Sequence, residues 1–163
     1  LLPSLLPFCS ENNFSLFFLG ASPGVGLSLK AKAEQLYPGI NINGVYCPPF
    51  AEKFESSEND KMISLINEAK PDFVLVSLTA PKQDIWIAEN LQKLDTKICI
   101  GIGGAFEVTA GLIPRAPHWM QVNGLEWFYR FCKEPKRMFR RYFMEAPVFI
   151  PLILLQKLKS LFK

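Results

Sequence analysis

Histidine occurs once in these 163 residues, and the four cysteines, Cys9, Cys47, Cys99 and Cys132, stand far apart with no C-x-x-C pair. That pattern suggests neither a zinc site nor a disulfide framework, and a reduced cytoplasmic setting fits it. Cys99 lies in an apolar run, where a buried thiol is the expectation. His118 has no second ligand or nearby Asp, so it is read as structural and no metal is expected. There is no G-x-G-x-x-G fingerprint and no Gly-Lys-Ser/Thr phosphate loop. The apolar stretch from Ala146 to Leu155 is ten residues and is broken by Pro147 and Pro151. That is far short of the roughly 20 residues needed to span a bilayer. The chain opens Leu1-Leu2-Pro3-Ser4 without an initiator Met, a basic n-region or a small-residue cleavage site. It does not read as a secretory signal, and the expectation is a piece cut from something longer.

Hydrophobic residues make up 49% of the chain and charged residues 20%, enough for one substantial core. The net charge of +3 is unevenly spread. From Lys133 to Lys163 there are eight Lys or Arg against two Glu, which leaves ten basic and thirteen acidic residues elsewhere. A basic tail on an acidic body points to nucleic acid, anionic lipid or phosphorylated ligands.

Apolar, β-prone runs recur at Phe14 to Leu19, Ile40 to Tyr46, Phe73 to Leu78 and Lys97 to Ile102. The first, third and fourth are continuously apolar, as strands covered by helices on both faces should be. Helical periodicity occupies Ser28 to Leu36, Glu58 to Ala69 and Pro81 to Leu94, the last with Pro81 at a first helical position. Cys47-Pro48-Pro49-Phe50 reads as a loop. This βα rhythm predicts an α/β fold, a Rossmann-like parallel sheet flanked by helices. Past Ile102 the rhythm breaks, with helices expected from Gly124 to Cys132 and from Pro135 onward. The basic, apolar tail is suited to lying on a membrane surface. The expected division is 1–128 for the α/β part and 129–163 for a membrane-associating helical appendage.

In parallel α/β sheets ligands bind beyond the carboxyl ends of the strands, where helix N-termini offer free N–H groups to phosphate. Three segments occupy that position and are expected to converge on one crevice. Gly20-Ala21-Ser22-Pro23-Gly24-Val25-Gly26 follows the first strand, and its glycines permit close backbone approach to a phosphate or simply a tight turn. In Ser77-Leu78-Thr79-Ala80-Pro81-Lys82-Gln83-Asp84, Lys82 and Gln83 can hold a pyrophosphate and a sugar hydroxyl, or Lys82 is a solvated helix start. At Gly103-Gly104, with Glu107 close behind, the carboxylate can accept hydrogen bonds from a ribose or sugar hydroxyl, or cap a short helix. A fourth set is cationic: Arg137, Arg140 and Arg141 share one face of a helix beginning at Pro135, with Arg130 before it and Arg115 apart. Its partner is a pyrophosphate or anionic headgroups. Trp86, Trp119 and Trp127 read as core or membrane-interface residues.

Several short elements occur together in one order. They are Pro81-Lys82-Gln83-Asp84-Ile85-Trp86, Gly103-Gly104-Ala105-Phe106-Glu107, Ala110-Gly111 and Arg115-Ala116-Pro117-His118-Trp119-Met120. Gly124-Leu125-Glu126-Trp127-Phe128-Tyr129-Arg130 and Glu134-Pro135-Lys136-Arg137 follow. From about Phe14 to Tyr142 the chain resembles the WecG/TagA/CpsF glycosyltransferases, with Asp84 and Glu107 exchanging the family's acidic residues for their homologues and Thr79-Ala80 replacing a glycine-containing approach. The resemblance implies an inverting, metal-independent transferase without a cofactor. Its donor is a UDP-sugar such as UDP-N-acetylmannosamine, its uronic acid or a UDP-hexose, and its acceptor a sugar on undecaprenyl pyrophosphate at the inner face of the cell membrane, with no nucleic acid involved. It further implies that Gln83 contacts substrate and that Arg130, Arg137 and Arg140 meet pyrophosphate from a membrane-docking appendage. The family's general-base Asp is expected to precede these residues, so the chain alone is expected to be inactive. Two other readings stand beside this one. They are an NAD-type domain on Gly20 to Gly26, opposed by the lack of an acidic residue after Ile40 to Tyr46, and a non-catalytic nucleotide-binding or peripheral membrane module.

Overall fold

The computed structural model describes residues 1–133, 135–139, 143, 151–153 and 155–157. Four parallel strands form one sheet: β1 (Ser15–Gly20), β2 (Asn41–Tyr46), β3 (Phe73–Ser77) and β4 (Ile98–Gly101), in the order β2-β1-β3-β4. Between and around them run α1 (Leu2–Glu11), α2 (Val25–Leu36), α3 (Ser56–Ala69), α4 (Lys82–Asn90) and α5 (Ala105–Ala110). The expected α/β parallel sheet is therefore present, and its strands fall where the apolar runs lie.

Alternate residues of the central strands point to opposite faces and feed two cores. Leu16, Phe18, Phe73 and Leu75 pack with Leu2, Leu6 and Cys9 of α1, Val25, Leu29 and Ala33 of α2, and Phe106 of α5. Phe17, Leu19, Val74 and Val76 pack with Met62 and Ile66 of α3 and Trp86 of α4. Every residue of β1 and β3 is buried, as their unbroken apolar sequences require. β4 departs from that expectation: it pairs with β3 alone, and Ile98 is 43% exposed. Edge position leaves Cys99 half-buried rather than enclosed, although burial still pushes its thiol up to about 11.

Helix α1 was not legible in the sequence, since Pro3 and Pro7 break the helical signal. It forms because Leu2, Leu6 and Cys9 fall on one stripe and bury completely against the sheet. Trp86 is a core residue with a satisfied indole. Its Nε1–H donates to Asn59 Oδ1 at 2.7 Å, Asn59 Nδ2 donates to Asn90 Oδ1 at 2.9 Å, and Asn90 Nδ2 returns to the Trp86 carbonyl at 2.9 Å. This closed network holds α3 to α4.

At the amino end of the sheet Asp72 accepts from the Ser15 N–H at 2.8 Å and the Ser15 hydroxyl at 2.9 Å, and pairs with Lys97 at 2.7 Å. Lys97 first, then Ser15, hold the carboxyl at about 2 instead of 3.8. A depressed carboxylate contributes stability that is complete above its unfolded value and is lost as pH falls through the folded value. Thermal melts should therefore show a loss between about pH 4 and pH 2 that Asp72→Asn removes. The loss is on the order of 1 kcal/mol, discounted because Lys97 is largely solvated. An unchanged acid limb in Asp72→Asn would contradict this.

The chain divides into two compact units, Leu1–Pro114 and Arg115–Lys163. The expected boundary at 128/129 falls inside a helix, α7 (Glu126–Lys133), which sits between α6 (His118–Val122) and α8 (Pro135–Phe139) in the second unit. Within that unit Glu126 pairs with Arg130 at 3.1 Å and Arg115 at 3.7 Å. Trp119, Trp127 and Phe128 are each more than 40% exposed, and His118 is exposed at the start of α6. Among the described residues no helix is long and apolar enough to cross a membrane.

Candidate functional site

Strand order places a topological switch point between β1 and β3. From β1 the chain leaves through α2 toward β2, and from β3 through α4 toward β4. Helices of the two cores thus leave in opposite directions at this point, the place where folds of this kind bind ligands at the carboxyl ends of the strands. The three segments singled out in the sequence touch one another at these strand ends.

Gly20 and Ser77 are register partners there. Gly20 has φ +99°, and a Cβ on it would lie 2.4 Å from the Ser77 carbonyl oxygen, so only glycine fits. Ala21 follows at φ 65°, its N–H donating to the Ser77 carbonyl at 2.6 Å while its own carbonyl accepts from the Cys47 thiol at 3.1 Å. Gly24, with φ +83° and nothing within 4 Å of a Cβ, begins α2. The glycine loop is held from both sides and leads into a helix of 12 residues, whose first N–H, that of Val25, donates to the Ser22 carbonyl at 3.1 Å.

Ser77 also fastens the third segment. Its hydroxyl donates to the Gly103 carbonyl at 2.6 Å, and the Gly103 N–H donates to Gln83 Oε1 at 2.9 Å. Gln83 is 8% exposed, and its amide lies 3.0 Å from where a Gly101 Cβ would be. The site thus holds Gln83 in place through its carbonyl oxygen, leaving the amide NH2 as the group able to donate to a ligand. Pro81, joined to Ala80 by a cis peptide, precedes α4 instead of starting it, and its carbonyl accepts from the Asp84 and Ile85 N–H groups.

Lys82 is not a solvated helix start. Its ammonium donates to the Ala51 carbonyl and stands 3.5 Å from the centroid of the Phe54 ring, and burial lowers its pKa. It therefore ties α4 to the loop after β2, a role no spacing rule anticipates. Phe106, fully buried against Phe18 with ring centroids 5.0 Å apart, pins α5. Beside it Glu107 Oε2 is buried without a hydrogen-bond partner among the described residues, 3.7 Å from where a Gly104 Cβ would stand. A buried carboxylate oxygen with no donor is costly and calls for a ligand or a function.

Of the cationic set, Arg130 lies on α7 paired with Glu126, Arg115 precedes α6, and Arg137 lies on α8. Arg140 and Arg141 fall outside the described residues. Sequence reasoning assigned no role to Ser77, although it heads one of the three segments, because a hydroxyl at a strand end carries no distinctive pattern, nor to Cys47, whose contact with Ala21 is long-range.

The β1/β3 switch point, with Gly20 against Ser77 and a carboxylate oxygen of Glu107 unpartnered among the described residues, belongs to a Rossmann-like parallel α/β fold. All 163 residues match the Glycosyl transferase WecG/TagA/CpsF family model, and the chain belongs to that family. It is 30% identical over 150 residues to the N-acetylglucosaminyldiphosphoundecaprenol N-acetyl-beta-D-mannosaminyltransferase of Staphylococcus aureus strain MRSA252, and 29% identical to the protein of that name from strain MW2. These alignments cover 92% of this chain and 56% of each relative, so the chain spans about half the length of the curated relatives it matches.

Proposed function

We propose that this chain is the donor-binding portion of a transferase that moves a hexosyl or N-acetylhexosaminyl group from a UDP-sugar to a sugar on undecaprenyl pyrophosphate. The observation that carries this is the cluster of strand ends at the switch point, where Gly24 and Gly103, beside Gly20 and Gly104, leave backbone open to a diphosphate and Glu107 Oε2 has no donor among the described residues. The staphylococcal relatives, named for transfer of N-acetylmannosamine to a diphosphoundecaprenol-linked sugar, support the acceptor class.

In this reading the α2 N-terminus receives phosphate charge, Glu107 accepts from a sugar or ribose hydroxyl, and the Gln83 NH2 donates to the donor as its bond to the sugar breaks. Lys82 acts through the loop it holds, adding positive potential without direct contact. Arg130, Arg137 and Arg140 meet the pyrophosphate, no metal is needed, and work is done at the inner membrane face. The deprotonating Asp lies outside these residues, so the purified chain should show no turnover.

Calorimetry separates this from an NAD-type domain. UDP should bind and NAD should not, consistent with Tyr46-Cys47 at the end of β2 where a ribose-binding acid would stand. Binding of NAD with no response to UDP would overturn the reading. Tight vesicle binding with no nucleotide binding would favour a peripheral membrane module.

A further inference from the structure

The loop after β2 runs from the glycine loop to the head of α4. At its start the Cys47 thiol donates to the Ala21 carbonyl of the glycine loop at 3.1 Å. Four residues later the Ala51 carbonyl accepts from the Lys82 ammonium at the head of α4, and Lys82 in turn lies over Phe54. Between these anchors stand Pro48, which is buried, and Pro49, whose ring fixes its φ. Phe50 sits in the span, 95% exposed, the most solvated large hydrophobic in the first unit among the described residues.

A solvated phenylalanine is unremarkable on a loose loop. Here the ends of the segment are tied to the glycine loop and to α4 and prolines stiffen its middle, so the ring is presented with little conformational freedom left to lose. The segment also leaves from β2, the neighbour of β1, beside the loop where the diphosphate is placed. We propose that Phe50 is the platform on which the planar base of the donor nucleotide stacks, with the residue 47–51 strap as its mount. This rests on the nucleotide reading above. Aromatic stacking tolerates any base with a π-face and needs no hydrogen bond, which suits a side chain without polar atoms.

The test is calorimetry with UDP and, separately, inorganic pyrophosphate. Phe50 makes no core contact, so Phe50→Ala should melt like the wild type. It should bind UDP about tenfold more weakly while pyrophosphate affinity stays within about twofold, and Phe50→Trp should restore UDP binding. Equal UDP affinity in Phe50→Ala overturns the inference alone, as does a parallel loss of UDP and pyrophosphate. Weakened binding to anionic lipid vesicles with UDP affinity intact overturns it in favour of a lipid contact. A wild type that binds neither UDP nor pyrophosphate overturns the nucleotide reading and this inference with it.

Discussion

Gly20→Ala is expected to lower the melting temperature by roughly 10 °C, through a loss of about 3 kcal/mol or more. The new methyl would meet the Ser77 carbonyl oxygen at 2.4 Å and its carbon at 2.8 Å, both backbone atoms of the central strand β3. Neither can move without breaking the pairing with β1, and φ at +99° adds strain for any side chain. Gly24→Ala provides the matched control. Its φ of +83° carries a similar conformational cost, yet nothing lies within 4 Å of the added carbon. About 1–2 kcal/mol is expected there, the left-handed penalty alone. If the two variants melt together, the close approach of the glycine loop to Ser77 is not what fixes the switch point.

Glu107→Leu is expected to separate stability from binding. Removing a buried oxygen that has no donor among the described residues should raise stability by on the order of 1 kcal/mol, partly offset by losing a negative charge in the first turn of α5. UDP-sugar affinity should fall at least about tenfold, because the ligand hydroxyl loses its charged acceptor. Thermal melts and calorimetry on the same preparation read both effects. A destabilised variant with unchanged affinity would make Glu107 a structural residue and remove it from the site.

The legible part of this protein is the part set by periodicity and by glycine. Unbroken apolar runs marked β1 and β3 because both strands are covered on two faces, and glycines at strand ends marked the turns at the switch point. What escaped depended on contacts distant in sequence. Pro3 and Pro7 argue locally against a helix, and only the sheet beneath α1 shows why Leu2, Leu6 and Cys9 form one. β4 reads like β3 in composition, but strand order leaves it at an edge, and order is not written in hydrophobicity. Lys82 carries the same local signature whether it is solvated or drawn to Ala51 and Phe54. The Gln83 amide was expected at the substrate. The structure adds that its carbonyl oxygen accepts from the Gly103 N–H, which leaves the NH2 as the end free to donate.

The most direct test of the account is calorimetric titration of the 163-residue chain with UDP, alongside Gln83→Ala. Binding by the wild type, and its loss in a variant that still melts cooperatively, is the expected result. A folded wild type that binds no UDP, or a Gln83→Ala variant that binds it equally well, would contradict the placement of the donor at the β1/β3 switch point.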